Sequence, residues 1–296
     1  METNAELNGR AEESEEKYKH FKNTFSVLIK NKAALVGLVI ILLLTLVALF
    51  GKFIMPYNPY VGELSKSLQA PSAAHIFGTD EQGRDILSRI IDGTKISLRV
   101  GVTSVAIALS IGTVVGALAG YYGGKIDMLL MRIMDIVLAF PSLLLAIAFM
   151  SALGKGIDKA VIAISIVTIP EYARIVRSCI LSVKESEYVQ AARVIGNNDF
   201  NIIFKHILPN VMSPIIVRAT LGVSSAILDT AALGFLGLGV QPPFAEWGSM
   251  LGAGRGYFYN APHIILFPGI AITITVLAFN LFGDGLRDAL DPRSRK

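Results

Sequence analysis

The chain has 296 residues, 53% of them hydrophobic and only 17% charged, with a formal net charge of +4. Soluble domains carry about 25% charged residues, so the composition argues first against a soluble globular fold. The single cysteine, Cys179, excludes a disulfide framework within the chain and any multi-cysteine metal cluster. It is expected to be an inert small hydrophobe at a membrane edge.

The N-terminal arm, residues 1–33, opens with the acidic run AEESEE. Tyr18, Phe21, Phe25, Leu28 and Lys32 then recur at helical spacing, with Lys17, Lys19, Lys22 and Lys30 around them. The pattern predicts an interfacial amphipathic helix leading into the membrane, with a solvated linker as the alternative. Residues 33–51 are free of charge, as are residues 100–124, 136–154 and 264–283. Each supplies the roughly 20 apolar residues that cross about 30 Å of hydrocarbon as a helix. Barrel strands alternate over about ten residues, and these runs are apolar on all sides. About 32 residues precede the first run and no small-residue cleavage site follows it, so it is expected to be a span and not a signal peptide.

Residues 34–99 are expected to hold the first membrane helix and an external connection. That connection contains Pro56, Pro59 and Pro71 and ends in GTDEQGRDILSR, where Thr79 or Asp80 is the expected cap of a helix beginning near Glu81. Residues 100–286 form the expected core. Within it, Gly112, Gly116 and Gly120 place small residues on one face, which lets helices approach closely in lipid. Pro141 and Pro170 mark expected kinks. Residues 160–170, continuing into EYARIVRSCILSV, and residues 209–239 are less clean segments that complete six expected spans. Residues 287–296 are the expected tail.

With the N-terminus inside the cell, 17 of the 27 Lys and Arg residues fall on the inner side, nine fall outside and Arg218 lies within a span. The positive-inside rule then favours both termini inside a multi-pass protein of the cytoplasmic membrane. Basic residues beside spans are what this orientation requires, so the positive charge does not indicate nucleic acid.

A charge near the bilayer centre costs about 2.5–3.5 kcal/mol on insertion scales, so each one needs a partner or water. Arg132 and Asp135 are three residues apart and can pair with each other. Glu171, Arg174 and Arg177 lie on one side of the fourth expected span. Arg218 and Asp229 are eleven residues apart, three helical turns, and share a face of the fifth. These groups either line a water-filled pathway or pair for structure.

Between the fourth and fifth spans lies EYVQAARVIGNNDFNIIFKHILPN, residues 187–210, inside the expected loop 185–210. A helix from about Glu185 should end at Gly196, Asn197 and Asn198 should turn, and Asp199 should cap a second helix that Pro209 stops. The product is a short rigid helical hairpin. The same spacing suits a DNA-reading helix-turn-helix, but residues 200–206 offer only Lys205 for phosphate contact.

The chain resembles, over nearly its full length, the dipeptide/oligopeptide/nickel permease family of ABC importers, and within it the C-type subunit. The resemblance is carried by GTDEQGRDILSR, AGYYGGKIDMLLMRIMDI, AFPSLLLAIA, the loop 187–210, AALGFLGLGVQPPFAEWG and LAFNLFGDGLRDALDPR. The loop resembles the family's EAA motif, with Gln190 where Glu is usual and His206-Ile207 before Leu208-Pro209.

The resemblance implies an all-α integral membrane protein with the type I importer fold and about six spans. It implies a homologous second permease, two ATPase subunits, an extracytoplasmic substrate-binding protein and a surrounding of membrane lipid. The ATPase-coupling role falls on Glu187, Ala191, Ala192 and Gly196, with Ile207, Leu208 and Pro209 as scaffold. The two small alanines are expected to seat the coupling helix in an ATPase groove. No GxxxxGK[ST] occurs, so ATP and Mg are expected to be used by the partners, with no cofactor on this non-catalytic chain. The family's substrates include dipeptides, longer oligopeptides, glutathione and nickel complexes, and peptides are the expected class. A membrane sensor or a secondary transporter is the alternative; a secondary transporter would favour inverted repeats, and no convincing repeat is present.

Overall fold

The computed structural model describes residues 26–291, so most of the expected amphipathic arm and residues 292–296 of the expected tail lie outside the described residues. The described residues are helical, apart from loops and an isolated bridge between Thr79 and Asp85. Helix α1 (Lys32–Ile54) starts at Asn31, whose Oδ1 accepts from the amides of Ala33 and Ala34 at 3.1 and 3.2 Å. Helices α2 (Ile86–Tyr122), α3 (Gly124–Leu138), α4 (Ser142–Leu153) and α5 (Ile157–Val183) follow. A hairpin containing α6 (Glu187–Val194) leads to α7 (Met212–Phe235). The chain then makes α8 (Trp247–Gly254) and α9 (His263–Leu290).

Among the described residues, four helices are long and apolar enough to cross a membrane: α1, α2, α9 and the continuous stretch Asp199–Phe235. The expected third span is broken. Pro141 separates α3 from α4, and the two meet at 89°, so together they make at most one bent span. Helix α5 has 27 residues, enough for about 40 Å, but Asp158, Lys159, Glu171, Arg174 and Arg177 keep it below the apolar threshold. It runs as one helix through Pro170 and packs along α2, where its charges find partners.

The glycine stripe explains the α2–α5 contact. A Cβ on Gly112 would stand 2.6 Å from Tyr172 Cβ, and one on Gly116 would stand 2.3 Å from the Ala173 carbonyl oxygen. The two backbones touch because nothing projects between them. The α1–α9 contact repeats the device, since a Cβ on Gly37 would meet the Ala278 carbonyl oxygen at 2.6 Å.

One end of the bundle is closed by a cap formed from the loop before α2 and the segment around α8. The expected cap at Thr79 or Asp80 is displaced. Asp85 caps α2, accepting from the Ser88 amide at 2.8 Å, and its other oxygen lies 2.9 Å from His75 Nδ1. Gly83, at φ +71°, turns the chain back before the helix can start. Asp80 is freed for a buried cluster, 2.6 Å from Arg84 Nε and 3.4 Å from Arg89 Nε. Across the cap, Trp247 is buried and donates to the Ile90 carbonyl at 3.1 Å.

Candidate functional site

The hairpin lies at the opposite end of the bundle. Helix α6 ends in the two crossed bonds of a glycine-terminated helix: Asn197 N donates to the Ala192 carbonyl at 3.2 Å, and Gly196 N to Arg193 at 3.0 Å. Gly196 sits at φ +87°, with open space around the position of a Cβ. Asn198, not Asp199, caps the next turn, its Oδ1 accepting from the Asn201 amide at 2.8 Å. Asp199 instead accepts from the Tyr121 hydroxyl of α2 at 2.8 Å, which ties the hairpin tip to the bundle.

The expected second helix is irregular. After one turn at Asp199–Asn201, a wide turn (Ile202–Ile207) and a tight one (Leu208–Val211) lead into α7. Pro209 has no N–H to donate, and its ring crowds the carbonyl four residues back, so a regular α ladder cannot run through.

The two faces of the hairpin differ. Val189, Ala192, Ile202, Ile203, Ile207 and Leu208 are buried in one cluster with Val176 and Ile180 of α5. Glu187, Gln190, Ala191, Arg193 and Pro209 are exposed, and Val194, Ile195 and Phe200 are 88%, 80% and 66% exposed. The two alanines therefore part company. Ala191 faces out, whereas Ala192 is packed against its own chain and is not available to a partner's groove. The exposed apolar group Val194, Ile195 and Phe200 was not singled out by the motif. Helical spacing carried the signal for Val194, which stands opposite Val189 and Ala192; Ile195, three residues after Ala192, is exposed where α6 ends.

Beside the hairpin, α5 is bound to its neighbours by charge. Arg177 holds Asp127 of α3 through two bonds of 2.5 and 2.6 Å, and Arg174 holds Asp135 at 2.6 Å. The expected pair within α3 does not form: Asp135 faces Arg174, and Arg132 is exposed with no carboxylate partner among the described residues. Asp127 carries no local signal of its partner, because Arg177 lies 50 residues away in the chain. Glu171 pairs with Arg218 of α7.

Arg218 and Asp229 share a face of α7, and that face lines a cavity. It measures about 220 Å³ and lies against the break between α3 and α4, lined by Ser142, Thr168, Glu171, Arg218, Ser225 and Asp229 among others. The Glu171–Arg218 pair is neutral. Asp229 has no hydrogen-bond or ion-pair partner among the described residues.

Comparison with known proteins agrees with this architecture. Residues 112–296 match the family described as binding-protein-dependent transport system inner membrane component. Residues 21–71 match the N-terminal transmembrane domain of oligopeptide transport permease C. The dipeptide transport system permease protein of Alkalihalophilus pseudofirmus is 51% identical over 93% of this chain and 90% of its own length. The di/tripeptide transport system permease protein of Pseudomonas aeruginosa is 49% identical, covering 89% of each chain. The glutathione transport system permease protein of Pectobacterium atrosepticum is 46% identical over 90% of this chain and 88% of its own. A structure of the MetNI methionine ABC transporter in an inward-facing conformation overlays with a TM-score of 0.57 at 21% identity. It covers 69% of this chain and 96% of that one, a likeness of fold. The chain belongs to the binding-protein-dependent transport system inner membrane components, as an ABC-importer permease of the dipeptide and glutathione type.

Proposed function

We propose that this chain carries short peptides across the cytoplasmic membrane together with a second, homologous permease, and that it receives the work of ATP hydrolysis through the hairpin. The observation that carries the reading is the two-faced hairpin. Val194, Ile195 and Phe200 expose an apolar patch outside the bundle, at a place where lipid is not expected, and such patches mark partner sites. The inner face, Val189 to Leu208, is continuous with the core, so a push on the patch reaches α5 and α7 without being lost in a flexible loop.

In this reading Glu187, Ala191, Arg193 and Gly196 belong to the contact and its shape, and Ala192, Ile207 and Leu208 to the scaffold beneath. Two ATPase subunits seat on this hairpin and on its counterpart in the second permease. A substrate-binding protein docks at the cap end, which places the hairpin and both termini in the cytoplasm. ATP and Mg remain with the ATPases, and the chain itself is non-catalytic. ATP shifts the pathway between facing in and facing out only through a difference in affinity between the two states. Peptides are favoured as cargo because dipeptide, di/tripeptide and glutathione are one chemical class, small molecules with amide bonds and a free amino group.

The test is Ile195→Glu in the assembled transporter. Burying an unpaired charge in an apolar seat should remove about 2 kcal/mol or more of docking. Co-purifying ATPase and peptide uptake should both fall at least tenfold, with the amount of chain in the membrane unchanged. Retention of both would sink the docking assignment.

A further inference from the structure

We propose that Asp229 is the cation-recognising group of the transport pathway, and that it takes the protonated amino group of the cargo. The inference rests on the peptide reading for its ligand, but its electrostatic part stands alone.

Of the groups in the cavity, Glu171 and Arg218 neutralise each other, which leaves one net negative charge, on Asp229. The other polar neighbours do not answer it. Thr168 turns its hydroxyl to the Ile164 carbonyl at 2.9 Å, and Ser142 and Ser225 are neutral. Asp229 is the only charge on α7 besides Arg218, and it lies eleven residues further along, about 16 Å at helical rise. An intramembrane carboxylate costs several kcal/mol unless water or a cation meets it, so one left unanswered inside a cavity marks a place where a cation arrives. The buried acids among the described residues are satisfied at home. Asp80 meets Arg84, Asp85 meets His75 and Ser88, and Glu246 meets two backbone amides.

The location suits a passing ligand. The cavity lies where α3 and α4 break at 89°, and α5 and α7, which supply its remaining wall, are the two helices that the hairpin joins. Movement of the hairpin is therefore felt at Asp229. The cargo chemistry that fits is an ammonium group, present at the amino terminus of any unblocked short peptide.

The test uses a reporter beside the carboxylate. Replacing the one cysteine (Cys179→Ser) and introducing Ser225→Cys gives a single thiol in the cavity. In whole cells, with each rate expressed relative to that reagent's rate with a free thiol in solution, its reaction with a trimethylammonium-bearing methanethiosulfonate is expected to outrun that with the sulfonate-bearing analogue by at least about tenfold, as one uncompensated charge within several Å would produce. Asp229→Asn should abolish the preference and Asp229→Glu should keep it. Equal rates for the two reagents in the parent chain overturn the proposal: they would mean that a cation of the second permease already neutralises Asp229. That outcome leaves the ATPase-docking reading untouched. A dipeptide in excess should then protect the thiol from the cationic reagent while its N-acetyl counterpart does not. Equal protection by both overturns the assignment to the ammonium.

Discussion

The two ends of the bundle solve opposite problems. At the cap end, polar side chains are buried and satisfied by one another: Asp80 with Arg84 and Arg89, Asp85 with His75 and Ser88, Glu246 with the amides of Gly248 and Ser249. At the hairpin end, apolar side chains stand in the open while a second apolar row is sunk in the core. A closed polar network is complete without a partner. An exposed apolar patch on a rigid support is completed by one. The contrast supports the proposed seat of the ATPases at the hairpin, and at the cap it leaves the buried polar groups satisfied within the chain, whatever docks on the outer surface.

Substitutions can break that contrast, beginning where the effect is largest. At the hairpin, Val189→Asp puts an unpaired charge into a fully buried site and should cost about 3–5 kcal/mol, seen as loss of chain from the membrane. Ile195→Glu, six residues on, should leave stability within about 0.5 kcal/mol, because its side chain is largely in solvent. Equal damage from the two would erase the distinction between the faces. At the cap, Asp80→Ala removes the carboxylate that two buried guanidinium groups share, leaving Arg84 with Glu81 and Arg89 with the Pro59 carbonyl, and should cost about 3 kcal/mol, measured as thermal unfolding in detergent, with ATPase co-purification retained in the molecules that remain folded.

Between the ends, Gly116→Ala should cost about 1–3 kcal/mol, because its methyl group would force α2 away from the Ala173 carbonyl. Glu246 gives the cap a pH dependence. Burial pushes its carboxyl up to about 7, against the pull of the two amides that favour the charged form. A folded value above the ordinary 4.5 means that the folded state holds the proton more tightly. Its contribution is full below pH 4.5 and is lost as pH rises through 7. Glu246→Gln should flatten the fall in melting temperature across that window. Gly196→Ala should cost about 1 kcal/mol of backbone strain in the left-handed region, with no steric clash.

Most of the architecture was legible because lipid imposes simple rules. Uncharged runs of the right length became α1, α2 and α9, and the glycine stripe became the α2–α5 contact. The expected helix end at Gly196 was met two residues beyond the last residue of α6, because only a glycine accepts that conformation without strain. What the sequence did not reveal was partner choice across distance. Arg132 and Asp135 are close in the chain, yet Asp135 pairs with Arg174, 39 residues away, because α3 packs against α5. The cap of α2 was misplaced for a similar reason: Asp80 suits the role locally, but two arginines claim it in the fold. The inward turn of Ala192 was hidden by the motif, which treats two adjacent alanines as one feature although adjacent helical positions point about 100° apart.

The measurement that tests the account most directly is site-directed cross-linking from the hairpin in native membranes, in a Cys179→Ser background. A photo-reactive probe on Ile195→Cys should capture an ATPase subunit, and the same probe on Val61→Cys, an exposed position in the cap, should capture none. No ATPase at position 195 under these conditions, or equal capture from both positions, would contradict the claim that the exposed hairpin face is where the motor sits.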